Sequence, residues 1–187
     1  MIESIYIISN DKGKTLELSN IINNIDSNYS IASTFTTNND SDEKYLSENY
    51  MYYISEDQLN LDFRNNALLY VITDSNTQES IGIAVDELYN NKLIPMTIKA
   101  FNTVNTKYIN NCLIVWIDSI MNKLELSLID YQLNMIETKY LMKNLDKYKD
   151  NMLYFNSKED LNDCANIILE YMNGDENRRQ QLLEENS

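Results

Sequence analysis

The sequence predicts an α/β domain built on a mostly parallel sheet, with helices packed on both faces in three layers. Short apolar runs rich in Ile, Val and Tyr alternate with longer stretches whose apolar residues recur at helical spacing. Strands that alternate with helices form parallel sheets covered on both sides. The 187 residues, of which 43% are hydrophobic, can bury one good core, so a single domain is the simplest organisation.

The first elements of the chain read as a strand, a helix and two further strands. Residues 5–9 form a β-branched and aromatic run typical of a buried strand, and residues 14–24 have the spacing of an amphipathic helix. Residues 29–37 alternate as a strand does, and residues 38–43 form a polar loop. Residues 50–54 predict another short strand.

The middle of the chain reads as a helix followed by a pair of strands. Ser55, followed by two acidic residues, is a favourable cap for the start of a helix. Residues 68–72 and 80–84 look like a strand pair, and residues 85–90 predict a helix.

The second half of the chain continues the alternation of strands and helices. We expect strands at 93–98, 112–117 and 152–155, a long helix over 122–149, and a last helix over 158–172 opened by Ser157. The polar tail from Asp175 is interpreted as a solvated helical extension or a disordered segment.

Charge and composition limit the possible functions. A net charge of −14 argues against a nucleic-acid-binding surface, which must neutralise phosphates with Lys and Arg. Cys112 and Cys164 lie in apolar or amphipathic stretches and are expected to be buried thiols in a reducing compartment. No basic segment precedes an apolar one at the N-terminus, and no apolar run reaches the roughly 18 residues that span a bilayer. A cytoplasmic protein without a membrane anchor is expected.

The sequence contains no histidine, which removes histidine-based acid/base catalysis, the usual catalytic triads and histidine-ligated metal sites. No metal site and no catalytic residue are therefore assigned. Arginine is scarce as well, since it occurs only at Arg64, Arg178 and Arg179.

One short motif points to phosphate. Gly13, Lys14 and Thr15 follow the first strand and begin the first helix, where backbone N–H groups and the helix N-terminus favour an anion. In a parallel α/β sheet this is also the ligand-binding edge. With Lys12, these residues are the candidate phosphate contacts.

The motif is incomplete. The full phosphate-binding loop needs an earlier glycine, and here only residues 10–12 separate the strand from Gly13. Asp11 also places a like charge where the anion would lie. The alternative is an ordinary turn at the start of a helix.

The order of further segments resembles the guanylate kinase family. That family has a Thr-Thr-Arg segment, a Tyr-x-Phe-Val-Ser-x-Glu-Glu-Phe segment, a Phe-Leu-Glu strand and a Tyr-Gly-Thr segment in this order. The chain offers Phe-Thr-Thr at 35–37, Tyr-Ile-Ser-Glu-Asp-Gln-Leu at 53–59, Leu-Leu-Tyr at 68–70 and Ile-Gly-Ile at 81–83. Residues 153–156 with 160–165 look like the last strand and helix of the family.

The resemblance implies a guanylate-kinase-like P-loop fold over residues 1–173, with a polar charged tail at 174–187. Within the domain, it implies a small antiparallel subdomain, resembling a monophosphate-binding one, over about residues 34–90. The implied monophosphate-site residues are Thr36, Thr37, Tyr50, Tyr52 and Gly82.

Several charged positions of the family are missing here. Asn38 stands where the arginine after Thr-Thr is expected, Tyr70 where the guanine-reading Glu is expected, and Ile81 where a Tyr precedes Gly82. The strand expected to contain Asp has none at 96–99, and no arginine lies between Arg64 and Arg178 to form the lid.

These losses bear on catalysis, because phosphoryl transfer depends on cations placed around the transferring group. One missing arginine of the finger type costs roughly 10³ to 10⁵ in rate. Lys123, Lys139 and Lys143 lack the planar fork that holds phosphate oxygens.

The preferred interpretation is a catalytically degenerate guanylate-kinase-like protein that acts by binding a protein partner. It requires no cofactor, and residual nucleotide binding would involve ATP or GTP with Mg²⁺. One alternative is a divergent nucleoside monophosphate kinase that transfers phosphate from ATP to a nucleotide. Another is a structural or assembly subunit with an unrelated α/β fold.

Overall fold

The computed structural model describes residues 4–40, 42–75, 77–109, 111–118 and 128–186. Within these ranges the chain forms two sheets. The strands are β1 Ser4–Ser9, β2 Ser30–Ile31, β3 Thr34–Thr36, β4 Met51–Tyr53, β5 Leu68–Thr73, β6 Ser80–Ala84, β7 Lys92–Thr97, β8 Cys112–Ile117 and β9 Met152–Phe155.

The larger sheet has five strands in the order β2-β7-β1-β8-β9, and every neighbouring pair is parallel. The central strand β1 is buried along its whole length, and so is its neighbour β8. Continuous apolar runs are typical of strands covered on both faces, which is why these strands were predictable. The α/β class with a mostly parallel sheet is confirmed.

Helices cover both faces of this sheet. The described helices are α1 Lys12–Ile25, α2 Glu43–Glu48, α3 Glu56–Arg64, α4 Ile98–Phe101, α5 Leu128–Lys143, α6 Leu161–Asn173 and α7 Glu176–Glu185. The larger sheet is covered by α1, α4, α5, α6 and α7, whereas α2 contacts β4. Helices α1, α6 and α7 contribute to one apolar core, with side chains such as Ile5 and Leu153 from the sheet. Helices α4 and α5 contribute to a second core on the other face, with Tyr6 and Ile114. The result is a three-layer arrangement.

The smaller sheet has four strands in the order β4-β3-β6-β5. The pairs β3–β6 and β5–β6 are antiparallel, as expected, whereas β3 and β4 run parallel, so the sheet is mixed. Leu69 and Ile83 of this sheet belong to the second core, which joins the small sheet to the main one.

The structure divides the single strand expected over residues 29–37 into two. Strand β2 pairs with β7 in the larger sheet, whereas β3 pairs with β4 and β6 in the smaller one. The backbone of residues 32–33 links the two sheets. Alternation alone could not reveal the change of partner, because both Ile31 and Phe35 are buried.

Three helix predictions need correction. The segment expected as a helix over 85–90 is a 3₁₀ turn, Val85–Leu88. The long helix expected over 122–149 includes residues outside the described ranges, and its described part is α5 followed by the 3₁₀ turns Leu145–Lys147 and Lys149–Asn151. The last predicted helix begins at Leu161 and not at residue 158, since Asp160 and not Ser157 caps it.

The polar tail is neither disordered nor merely solvated. It forms α7, whose Leu182 is only 2% exposed and joins the first core. Arg179 donates through Nε to the carbonyl of Tyr171 and through Nη2 to that of Met172. Arg178 forms an ion pair of 2.8 Å with Glu170. These contacts fix α7 against the C-terminal end of α6, whose free carbonyls attract cations.

Candidate functional site

The N-terminus of α1 lies at the carboxyl end of β1, the edge where ligands bind in parallel α/β sheets. Its first free N–H groups are capped by Asp11. The Oδ1 atom of Asp11 accepts from the amide of Gly13 at 2.9 Å and from the amide of Lys14 at 3.3 Å. A carboxylate at this position also offsets the positive end of the helix dipole. The Asp11 carboxylate therefore caps the amides at the start of α1, the position predicted for a phosphate.

The other residues of the candidate phosphate loop are also engaged. The Thr15 hydroxyl donates to the carbonyl of Lys12 at 2.8 Å and is fully buried, so it does not face an open metal position. Lys14 extends its Nζ atom to 3.5 Å from the carbonyl of Ser157. Helix α1 begins at Lys12, leaving only residues 10–11 as the turn. The turn between β1 and α1 is therefore two residues long.

A second carboxylate, Glu79, connects the small sheet to the start of α1. Its Oε1 atom accepts from the Thr36 hydroxyl at 2.9 Å, and its Oε2 atom lies 3.5 Å from Nδ2 of Asn38. Burial lowers the pKa of Lys12, and the nearby charge of Glu79 opposes this by raising it. Thus Thr36, Asn38 and Lys12 share Glu79 as an acidic neighbour.

Thr37 and Gly82 have structural roles in the small sheet. Thr37 donates its amide to the carbonyl of Ser80 and accepts from the amide of Ser80 at its hydroxyl, at 3.0 and 2.9 Å. Gly82 lies beneath Phe35, and a Cβ atom there would fall 2.3 Å from the Tyr70 carbonyl oxygen and 2.5 Å from the Phe35 ring. This glycine is needed for packing between strands.

The two tyrosines predicted for the monophosphate site, Tyr50 and Tyr52, have different surroundings. Tyr50 adopts a positive φ of 53° and donates its hydroxyl to Oδ1 of Asn20 on α1, at 2.8 Å. Tyr52 is 39% exposed, and burial followed by the charges of Asp86, Glu87 and Asp62 raises its pKa. The structure therefore brings Thr36 close to the helix start through Glu79, but it does not gather the predicted monophosphate residues around one cavity.

In the described residues, no arginine contacts Asp11, Glu79 or the start of α1. Arg178 and Arg179 are committed to α6, as described above, and Arg64 is an exposed residue at the end of α3. In the same described ranges, no group of three or more acidic, cysteine or histidine side chains is placed to hold a metal ion. None of the described helices is long and apolar enough to cross a bilayer.

Of the two carboxylates at this site, Asp11 could be identified from the sequence and Glu79 could not. The charge of Asp11 was visible next to the glycine, and Asp is a preferred N-cap residue, so its capping role had a signal. Glu79 had none, because its bond to Thr36 joins residues 43 positions apart in the chain. The pairing depends on how the small sheet folds.

The fold and the site define an α/β protein whose first helix begins at the carboxyl edge of a parallel sheet, with its first amides capped by Asp11. No protein-family model matches the sequence, and no curated protein matches it. Among solved structures, the chain is similar to a guanylate kinase from Anaplasma phagocytophilum, with a TM-score of 0.49 and 11% sequence identity. The match covers 89% of this chain and 81% of that one.

Proposed function

We propose that this chain is a catalytically degenerate protein of guanylate-kinase-like architecture that acts by binding another protein. The main supporting observation is the carboxylate of Asp11, which occupies the helix N–H groups of Gly13 and Lys14. A nucleotide phosphate would have to displace this carboxylate and approach a second one, Glu79. Both steps oppose anion binding, because like charges repel at short range.

The placement of the cations supports the same proposal. Phosphoryl transfer needs positive groups around the transferring phosphate, and arginine supplies them best through its planar fork. The described arginines lie elsewhere, two of them bound to α6. Lys12 lies near Glu79, and the Lys14 ammonium group contacts the Ser157 carbonyl. As point charges, these two lysines cannot replace a set of arginines.

The alternative is a divergent nucleoside monophosphate kinase that uses ATP or GTP with Mg²⁺. Its supporting observation is the position of Lys14 at the carboxyl edge of the parallel sheet, where its ammonium group contacts only a backbone carbonyl at 3.5 Å among the described contacts. This alternative requires the Asp11 side chain to turn away from the helix when nucleotide arrives.

A phosphoryl-transfer assay separates the two functions. Purified protein would be incubated with ATP or GTP, Mg²⁺ and each nucleoside monophosphate in turn, alongside Lys14→Ala. We expect the same background rate for both proteins. Saturable transfer by the wild type that Lys14→Ala abolishes would overturn the proposal and favour the kinase. Lys158→Ala, which changes an exposed lysine beyond Ser157, is the matched control for loss of positive charge.

A further inference from the structure

Strand β5 has an unusual sequence for the end strand of a sheet. It pairs with β6 on one side and is the last strand of the smaller sheet. Its residues, Leu-Leu-Tyr-Val-Ile-Thr, include no charge and no proline. Native proteins usually protect such strands with charges, proline or a bulge placed to prevent pairing with another chain. Here the one irregularity lies at the start of the strand, between Leu68 and Tyr70.

The register identifies the backbone groups that face outward. The Ser80 carbonyl accepts from the Thr37 amide, and the Ser80 amide donates to the Thr37 hydroxyl, so both main-chain groups of Ser80 face β3. The pair of Ser80 with Thr73 on β5 is therefore a non-hydrogen-bonded one. The pairs of an antiparallel ladder alternate, and Val71 opposite Gly82 is two residues away from Thr73. Val71 and Thr73 therefore direct their N–H and C=O groups away from β6, toward the open edge.

A groove runs along this edge. Its volume is about 350 Å³, and one wall consists of the consecutive residues Leu68, Leu69, Tyr70 and Val71. Successive strand residues point to opposite faces, so a groove that touches four in a row lies beside the strand edge and not on one face. The other wall is the segment from Thr103 to Tyr108, and Phe63, 68% exposed, lies at the rim.

The charged group in the groove lining is positive. Among the described residues, Lys107 is the only charged one that lines it, and its Nζ atom lies 4.4 Å from the centre of the Tyr108 ring. Within the same part of the chain, no carboxylate lines the groove. Although the whole chain carries −14, charges beyond about 8 Å are largely screened at physiological salt. A carboxylate on a ligand could therefore pair with Lys107, and no described carboxylate of the groove lining would compete for that lysine.

We propose that the β5 edge binds an extended acidic segment of a partner protein, which adds to the smaller sheet as a further strand. This proposal rests on the proposed function, because both take the ligand to be a protein. The main chain of Val71 would bond to the segment, its apolar side chains would contact Phe63 and Tyr70, and a carboxylate would reach Lys107. A second copy of this chain fits less well, since pairing of two β5 strands brings no acidic residue from either strand to Lys107.

The test uses phage-displayed random peptides of about twelve residues, long enough for one strand and its flanks. They are selected on the full wild-type chain and counter-selected on Val71→Pro. Proline at Val71 removes only an outward N–H, a substitution that an edge strand tolerates. Val71→Thr keeps the N–H and is the matched control. Circular dichroism confirms that each variant is folded.

We expect enriched peptides to share alternating apolar residues and at least one carboxylate. Synthetic versions should bind about tenfold more weakly to Val71→Pro and to Lys107→Glu, as expected for loss of a main-chain or charged hydrogen bond. Val71→Thr should retain wild-type affinity. Lys99→Glu, an exposed lysine on α4 outside the groove lining, should also retain it and controls for net charge.

The β5-edge proposal is overturned if no peptide is enriched, or if enriched peptides bind Val71→Pro as tightly as the wild type. It is also overturned if the wild type dimerises in sedimentation and Val71→Pro abolishes dimerisation, since the occupant would then be a second copy. Phosphoryl transfer measured on the same protein tests the proposed function separately, because it does not involve the β5 edge.

Discussion

Asp11 holds its Oδ1 atom 2.9 Å from the amide nitrogen of Gly13, the glycine of the Gly-Lys-Thr segment. The residue that caps α1 thus also occupies the amides that the sequence predicts as phosphate contacts. The cap and the Gly-Lys-Thr segment are adjacent in the chain, so their relationship could be predicted from the sequence. A short motif resembling a phosphate loop can therefore be an ordinary capped helix start.

Replacing the cap tests its structural contribution. Asp11→Ala should lower the free energy of unfolding by about 1 kcal/mol, because the amides of Gly13 and Lys14 lose their acceptor. Asp11→Asn keeps an acceptor oxygen and should stay within a few tenths of a kcal/mol of wild type. Urea unfolding of the three proteins gives the comparison. Equal stability of Asp11→Ala and wild type would contradict the capping role.

Gly82 should tolerate no side chain. Gly82→Ala places a Cβ atom 2.3 Å from the Tyr70 carbonyl oxygen and against the buried Phe35 ring, and we expect a loss of about 2 kcal/mol or more. Gly13→Ala is the control, since its Cβ would meet only the Asp11 Oδ1 atom, at 3.1 Å, in the exposed first turn of α1. It should change the free energy of unfolding by about 1 kcal/mol or less. Similar losses in both variants would contradict the packing argument.

Helix α7 should contribute substantially to the stability of the domain. Leu182 is 2% exposed and packs in the first core, so Leu182→Ala should lower the free energy of unfolding by about 2 to 5 kcal/mol. Gln181→Ala changes an exposed neighbour in the same helix and should remain within about 0.5 kcal/mol of wild type. If both variants match the wild type, α7 does not pack as described.

Stability should fall at alkaline pH. Burial, followed by the charge of Glu159, raises the pKa of the Cys164 thiol to about 12, whereas an unperturbed thiol has a pKa of about 8.5. Between these values the unfolded state loses its proton and the folded state keeps it, so unfolding becomes more favourable as pH rises. This group can contribute up to about 1.4 kcal/mol per pH unit within that window.

Cys164→Ala isolates this contribution. Unfolding in urea with a reducing agent, at about pH 8 and about pH 10, should show a smaller loss for the variant than for the wild type. The variant should still lose some stability, because burial also raises the pKa of Tyr6 and Tyr70. An identical pH dependence in both proteins would mean that the thiol is not buried in the folded state.

The strands of the larger sheet could be predicted from the sequence. Which of the two sheets β2 and β3 each join could not be predicted. Strands β1 and β8 are apolar throughout because both of their faces are buried. The division between Ile31 and Thr34 depends on pairing with β7 and with β4 and β6, which are distant in sequence. Local alternation contains no information on those partners.

In the candidate site, too, contacts between residues adjacent in the chain could be predicted, and contacts between distant segments could not. Asp11 could be recognised because a cap and its helix are adjacent in sequence. The contact between Glu79 and Thr36, and the groove between β5 and Lys107, join segments that meet only after the chain folds. The tail was misjudged because its mostly polar composition conceals one buried leucine, Leu182.

Calorimetric titration with ATP, GMP and GDP, each with Mg²⁺, tests the central claim most directly. With the Asp11 carboxylate on the amides of Gly13 and Lys14, we predict no saturable heat for wild type and none for Lys14→Ala. Saturable binding by the wild type that is lost in Lys14→Ala would show that a nucleotide phosphate binds at the start of α1 despite Asp11, and it would contradict the account.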